Sequence, residues 1–330
     1  MAQDLDAPIR ASAAHARRGW AAGAASATAY GSMPVAAVFA YGAGTTPAVL
    51  LTVRGVIGVA VIVALWVLTG RARRLPIRPV LWLLCFCGPV FGIQVLAFFM
   101  AVEHGGAQIP VIVVNVCPLL VIAMVWLRDR SPIPKMLIVL ACTAIAGLIL
   151  VSGTGTGAVS SVTVGLTLLS AAGYAAYLVT SERWVPQVGT VASAGLVTIG
   201  TTITTGVVAA VQHDSFTLTG GVWVVAAIQG LVLMPVGMGG ALYAVRTLGS
   251  VPLSLLGALE PVIGIALAAI LLHERLAGMQ WVGVIVILIA CAAVPLVSGR
   301  RGEPDAVARH PLNGLGAGES PLPDAEHPHS

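Results

Sequence analysis

Residues 99–118, FMAVEHGGAQIPVIVVNVCP, and residues 242–261, LYAVRTLGSVPLSLLGALEP, are two copies of one apolar segment. Phe99-Met100-Ala101-Val102 aligns with Leu242-Tyr243-Ala244-Val245, Gly106 with Gly249 and Pro118 with Pro261, all at an offset of 143. The register holds further out. Ser26-Ala27 followed by Tyr30 matches Ser170-Ala171 followed by Tyr174 at an offset of 144, and Met136 matches Met279 at 143 again. Self-similarity at a nearly fixed offset is the mark of an internal duplication.

The composition says where the duplicated unit lives. The chain has 330 residues, 58% of them apolar and only 9% charged, with a mean hydropathy of +0.96. Soluble chains average about 25% charged residues, so a water-soluble fold is excluded: so few charges leave a protein of this size without a polar surface. A spanning helix needs about 20 mostly apolar residues. Gly, Pro and short polar clusters divide the uncharged stretches into ten expected spans: 20–40, 47–69, 80–102, 108–127, 134–152, 162–180, 190–211, 221–245, 251–272 and 277–297. A β-barrel is excluded, since its strands alternate strictly over about 10 residues.

The expected fold is an all-α integral membrane protein of ten transmembrane helices. The expected parts are a cytoplasmic N-terminal segment 1–19, a first five-helix repeat 20–152, a linker 153–161, a second five-helix repeat 162–299 and a disordered cytoplasmic tail 300–330. Five spans is an odd number, so the second copy enters the membrane in the opposite sense to the first. Such inverted repeats enclose a site near the midplane and rock between inward and outward openings.

Orientation follows from the cations. With the N-terminus inside, the cytoplasmic segments carry Arg10, Arg17, Arg18, Arg71, Arg73, Arg74, Arg78, Arg128, Arg130, Lys135, Arg183, Arg246, Arg300, Arg301 and Arg309, leaving Arg275 outside and Arg54 within the second span. This positive-inside bias puts both termini in the cytoplasm and accounts for the basic pI of about 9.0 without a nucleic acid partner. Arg17-Arg18 and Ala27-Thr28-Ala29 are weak echoes of an export signal, and the first span is expected to stay uncleaved. The cysteines Cys85, Cys87, Cys117, Cys142 and Cys291 all fall within spans and suit buried filler rather than disulfides or a metal. No metal, cofactor or catalytic group is expected; Gly153, Gly155 and Gly157 read as linker, not as a phosphate loop.

Two five-helix halves, Leu259-Glu260-Pro261 entering the ninth span, Leu271-Leu272-His273-Glu274-Arg275-Leu276 leading into the tenth, and Arg54 early in the second together resemble the EamA-type members of the drug/metabolite transporter superfamily. The resemblance covers residues 19–299 and implies a ten-helix basket, helices one to four and six to nine around a central cavity, five and ten packed outside. It also implies a bacterial cytoplasmic membrane and export of amino acids, other metabolites or drugs. The first half departs from the second: Cys117 and Ser131 stand where Glu260 and Glu274 do, with Asp129 merely nearby, so the halves are not equivalent in function.

Glu260 is the most informative residue, since a carboxylate inside a span needs a partner or a wet cavity. It lies roughly 12 Å from the cytoplasmic end of its helix at about 1.5 Å per residue. It is read as a substrate-amine or proton site, or else as a salt-bridged or capping group at the helix break made by Pro261. Arg54 is read as a ligand for a substrate carboxylate, a partner of Glu260 across the cavity, or an anchor for helix carbonyls. The neutral polar candidates are Tyr30, Gln94, Asn115, Tyr174, Tyr177, Gln229 and Tyr243, each of which also suits interhelical hydrogen bonding. Asn115 precedes a second break at Pro118. Gly230, Gly237, Gly239, Gly240 and Pro235 make the eighth span a hinge or a tightly packed face.

The leading reading is a secondary exporter of a small molecule, with protons as the candidate coupling ion, the bilayer as its other partner, and a homodimer compatible with the sequence. The rivals are an intramembrane lipid-linked transferase, for which the clustered acids of a metal-phosphate site are missing, and a non-transporting subunit or lipid flippase. An ATP-driven pump is excluded within this chain for want of a nucleotide motif.

Overall fold

The computed structural model describes residues 6–68, 75–105, 110, 113–130, 135–152, 160–271 and 278–298. Every regular element among them is helical. Helix α1 is Asp6–Gly42 and α2 Pro47–Leu68. Helix α3 runs through Ile77–Trp82, a π-turn at Leu83–Cys87 and Gly88–Gly105. Then come α4 Cys117–Asp129, α5 Lys135–Ser152, α6 Ser161–Val188 and α7 Thr190–Val211. Helix α8 repeats the pattern of α3, with Gly220–Ile228, a π-turn at Gln229–Leu233 and Met234–Leu248. Helix α9 is broken into Ser250–Leu256 and Leu259–Leu271, and α10 is Gly278–Ser298.

Five stretches among the described residues are long and apolar enough to cross a bilayer: Pro47–Leu68, Ile77–Ala101, Ser161–Val188, Thr190–Val211 and Gly220–Leu248. Lys135–Gly147, Ser250–Gly264 and Trp281–Val294 are apolar but shorter. Two boundaries differ from expectation for a common reason. Helix α1 begins at Asp6 rather than near residue 20, and α6 runs to Val188 rather than 180, carrying Glu182 and Arg183 inside it. Charge ends a membrane span but not a helix, and the alanine-rich stretch before Trp20 is a strong helix former. Helix α6 ends instead at Gly189, whose φ of +92° turns the chain directly into α7; Gly249, also at +92°, does the same between α8 and α9. The expected linker and tail, and Glu274 and Arg275, lie outside the described residues apart from Ser160 and Ser161.

Helix α1 lies between α8 and α9, and α6 against α3 and α4. Helix α2 pairs with α7, α3 also touches α7, α2 also touches the π-turn of α8, and α5 packs on α10. Small residues set these distances. A Cβ on Gly88 of α3 would lie 2.6 Å from the Cα of Gly200 in α7, and a Cβ on Gly31 of α1 would collide with the Glu260 carbonyl. The glycines of α8 are packing glycines: Gly230 abuts the Arg54 carbonyl, Gly237 the Tyr30 ring and Gly240 the Ala22 carbonyl, while Gly239 is open. Large apolar side chains such as Leu68, Trp223 and Ile289 point outward, as a lipid-facing surface requires.

Candidate functional site

The polar residues of the interior gather where α1, α3, α6 and α8 meet. Pro34 cannot donate to the carbonyl of Tyr30 four residues before it, so α1 lacks one ladder hydrogen bond at the level of that tyrosine. The Tyr30 ring lies 6.4 Å from Phe91 of α3. Phe91 in turn stands edge-on to Tyr177 at 4.9 Å and to Tyr174 at 6.3 Å, and these two tyrosines of α6 stack at 6.0 Å. Tyr177 is fully buried and donates to the Met238 thioether at 3.1 Å; Tyr30 reaches the same sulfur at 3.9 Å. Gln94 closes this wall from α3, its Oε1 accepting from Ser170 at 3.1 Å, while Ser26 donates to the Gly237 carbonyl at 2.7 Å.

Glu260 enters from α9. The turn at Gly257–Ala258 interrupts that helix, and Glu260 and Pro261 fall in the first turn of the piece that follows, where proline's missing N–H is tolerated. Pro118 takes the same place at the start of α4, after a turn at Asn115–Val116. The Glu260 carboxylate is half-buried and lies within electrostatic range of Tyr30, Tyr174 and Cys117. It forms no ion pair with Arg54: among the described residues the ion pairs are Arg128–Asp129 and Arg128–Glu182.

Arg54 is 5% exposed and belongs to a second cluster. Its Nη1 donates to Gln229 Oε1 at 2.8 Å and to Met33 Sδ at 3.4 Å, and Gln229 Nε2 donates to the Met33 carbonyl at 3.1 Å. The π-turn that begins at Gln229 turns this side chain inward. Tyr30 is within electrostatic range of both Arg54 and Glu260 and joins the two clusters. Of the candidates read from the sequence, Tyr30, Gln94, Tyr174, Tyr177 and Glu260 thus come together, with Arg54 and Gln229 adjoining. Tyr243 stands apart, its ring 6.3 Å from His15 near the start of α1. It is on the same helix as Met238 but more than a turn further on, which carries it out of the cluster. Met33 and Met238 carry no signal in the sequence, where a thioether inside a span is indistinguishable from filler.

The two ends of the bundle are closed differently. At one end Arg128 of α4 bonds Asp129 at 2.8 Å, the Val179 carbonyl at 3.1 Å and Glu182 of α6 at 3.2 Å, while Ser250 of α9 donates to Glu182 at 3.0 Å. The hydrogen bond to Asp129 holds the Arg128 guanidinium above its usual range, so it stays charged at any working pH. At the other end Thr46, between α1 and α2, donates to Asp214, after α7, at 2.8 Å.

A bundle of apolar helices with a polar, aromatic interior is a multi-pass membrane protein. The EamA-like transporter family matches residues 17–153 and again 162–295, and the chain belongs to that family, within the drug/metabolite transporter superfamily. One crystal structure has the same fold, with a TM-score of 0.71 at 19% identity over 84% of this chain and 98% of its own. No curated protein matches the sequence. Members of the family are transporters, not enzymes, which implies a small-molecule substrate and a lipid bilayer.

Proposed function

We propose that this protein is a secondary-active exporter of a small metabolite, an amino acid or related compound, or of a drug, in the cytoplasmic membrane. It works by alternating access, with ten spans, both termini cytoplasmic and the halves 20–152 and 162–299 inverted. The observation that carries this reading is the interior cluster itself: Tyr30, Phe91, Gln94, Tyr174, Tyr177 and Glu260 draw on helices of both halves and face one another in the middle of the bundle.

The packing supports a pseudo-twofold relation between the halves, and an odd number of spans in each makes that relation an inversion. Exchanging each helix for its counterpart five further on turns α1·α8 into α6·α3, α1·α9 into α6·α4 and α3·α7 into α8·α2, and leaves α2·α7 and α5·α10 unchanged; all of these contacts occur. The two closures, Arg128–Glu182–Ser250 at one end and Thr46–Asp214 at the other, supply the two gates such a cycle opens in turn.

Glu260 is the coupling residue in this reading. Proton uptake neutralises it when substrate leaves, and substrate binding or proton release restores it. Growth of a deletion strain across amino acids and toxic analogues identifies the cargo. Export from proteoliposomes with and without a pH gradient then tests the mechanism. Glu260→Gln inserts normally and loses gradient-driven export while keeping downhill exchange. A normal gradient dependence in that variant removes Glu260 from the coupling step.

A further inference from the structure

We infer that Arg54 is the anion-binding end of the central site and that its ligand is a small organic carboxylate with an aromatic or planar body. Arg54 is a buried cation whose partners among the described residues are neutral: an amide oxygen and a thioether, both bound to Nη1. Its Nε has no hydrogen-bond partner among the described residues, and no carboxylate there lies within ion-pair distance of it. A buried guanidinium with an unused donor is costly unless something else supplies the acceptor and the opposite charge.

The geometry selects the kind of group that fits there. Gln229 is held by its own bond to the Met33 carbonyl, so it fixes the guanidinium through Nη1, while Nε has no partner among the described residues. On a guanidinium the Nε side carries two parallel N–H donors, from Nε and the neighbouring Nη, the pattern matched by the two oxygens of a carboxylate. An arginine serving only as a helix anchor spends its donors on backbone carbonyls, and no bond of that kind from Arg54 is present among the described residues. Within electrostatic range of Arg54 lies Tyr30, the first ring of the wall continued by Phe91, Tyr174 and Tyr177. A ligand anchored by its carboxylate therefore lays its body against aromatic faces, which favour a planar group.

This deepens the transport reading and rests on it for the ligand's passage, not for its binding. The test is calorimetric titration of the purified full-length protein with 3-phenylpropionate and phenylalanine, each against its carboxamide. At least one acid binds, its amide binds about tenfold weaker or less, and Arg54→Gln erases that difference while Arg54→Lys keeps part of it. Equal binding of acid and amide, no binding of either acid, or an undiminished acid preference in folded Arg54→Gln overturns the inference. If Arg54→Gln does not fold, the comparison in the wild-type protein decides. An acid that binds but is not carried by proteoliposomes contradicts transport and leaves the subsite standing; carriage of a cargo indifferent to the carboxylate does the reverse.

Discussion

Met238 shows how much the central site depends on single atoms. Its thioether is the one acceptor shared by the hydroxyls of Tyr177 and Tyr30, and it is fully buried. Met238→Leu nearly preserves volume, a change that by itself costs less than about 1.5 kcal/mol, but it leaves a buried hydroxyl without an acceptor, worth about 1–3 kcal/mol. The detergent-solubilised variant should therefore melt lower than wild type, and Tyr177→Phe in the same background should recover part of the loss. Independent losses that simply add would show that the sulfur contact contributes nothing. Gly31 is as exacting, because a side chain there meets the Glu260 carbonyl and Ile263. Gly31→Val should sharply lower the yield of folded protein on size-exclusion, whereas Gly42→Ala, with open space around it, should not. Equal yields would mean that α1 and α9 are not in close contact in the membrane.

Among the elements, the break in α9 and the π-turn in α8 do most to form the site, one bringing Glu260 and the other Gln229 into the interior. The Arg128–Glu182–Ser250 closure is the element most open to direct test. Arg128 is a third exposed, and an exposed pair is worth about 0.2–1 kcal/mol. Arg128→Ala should therefore raise alkylation of Cys117, kept as the sole cysteine, by a cytoplasmic maleimide about fivefold at most; an unchanged rate means the pair does not gate. Because Arg128 stays protonated, raising the pH should not mimic the variant.

Much of this was legible in the sequence. The helical membrane class followed from hydropathy, the duplication from Pro118 and Pro261, and the inward positions of Tyr30, Tyr174 and Glu260 from the cost of polar groups in lipid. The partner of Arg54 was not legible. Its distance from Glu260 depends on how far the helices are rotated about their axes, and a π-turn shifts that rotation without a composition signal. Helices α1 and α6 run beyond the spans read from the sequence because charge delimits a span and not a helix.

For the whole molecule, the proposed cycle requires two halves that enter the membrane in opposite senses and share one interior. The exchange of helix contacts fits a pseudo-twofold pair of halves, and the distribution of arginines agrees with their entering in opposite senses. It can be measured without knowing the cargo. Single cysteines at positions 43 and 74, in a variant lacking the five native cysteines, are exposed to a membrane-impermeant maleimide in intact cells and again after permeabilisation. The account predicts that position 43 labels in intact cells and that 74 labels only once the membrane is opened. Labelling of position 74 in intact cells would contradict the inverted arrangement and the alternating-access cycle built on it.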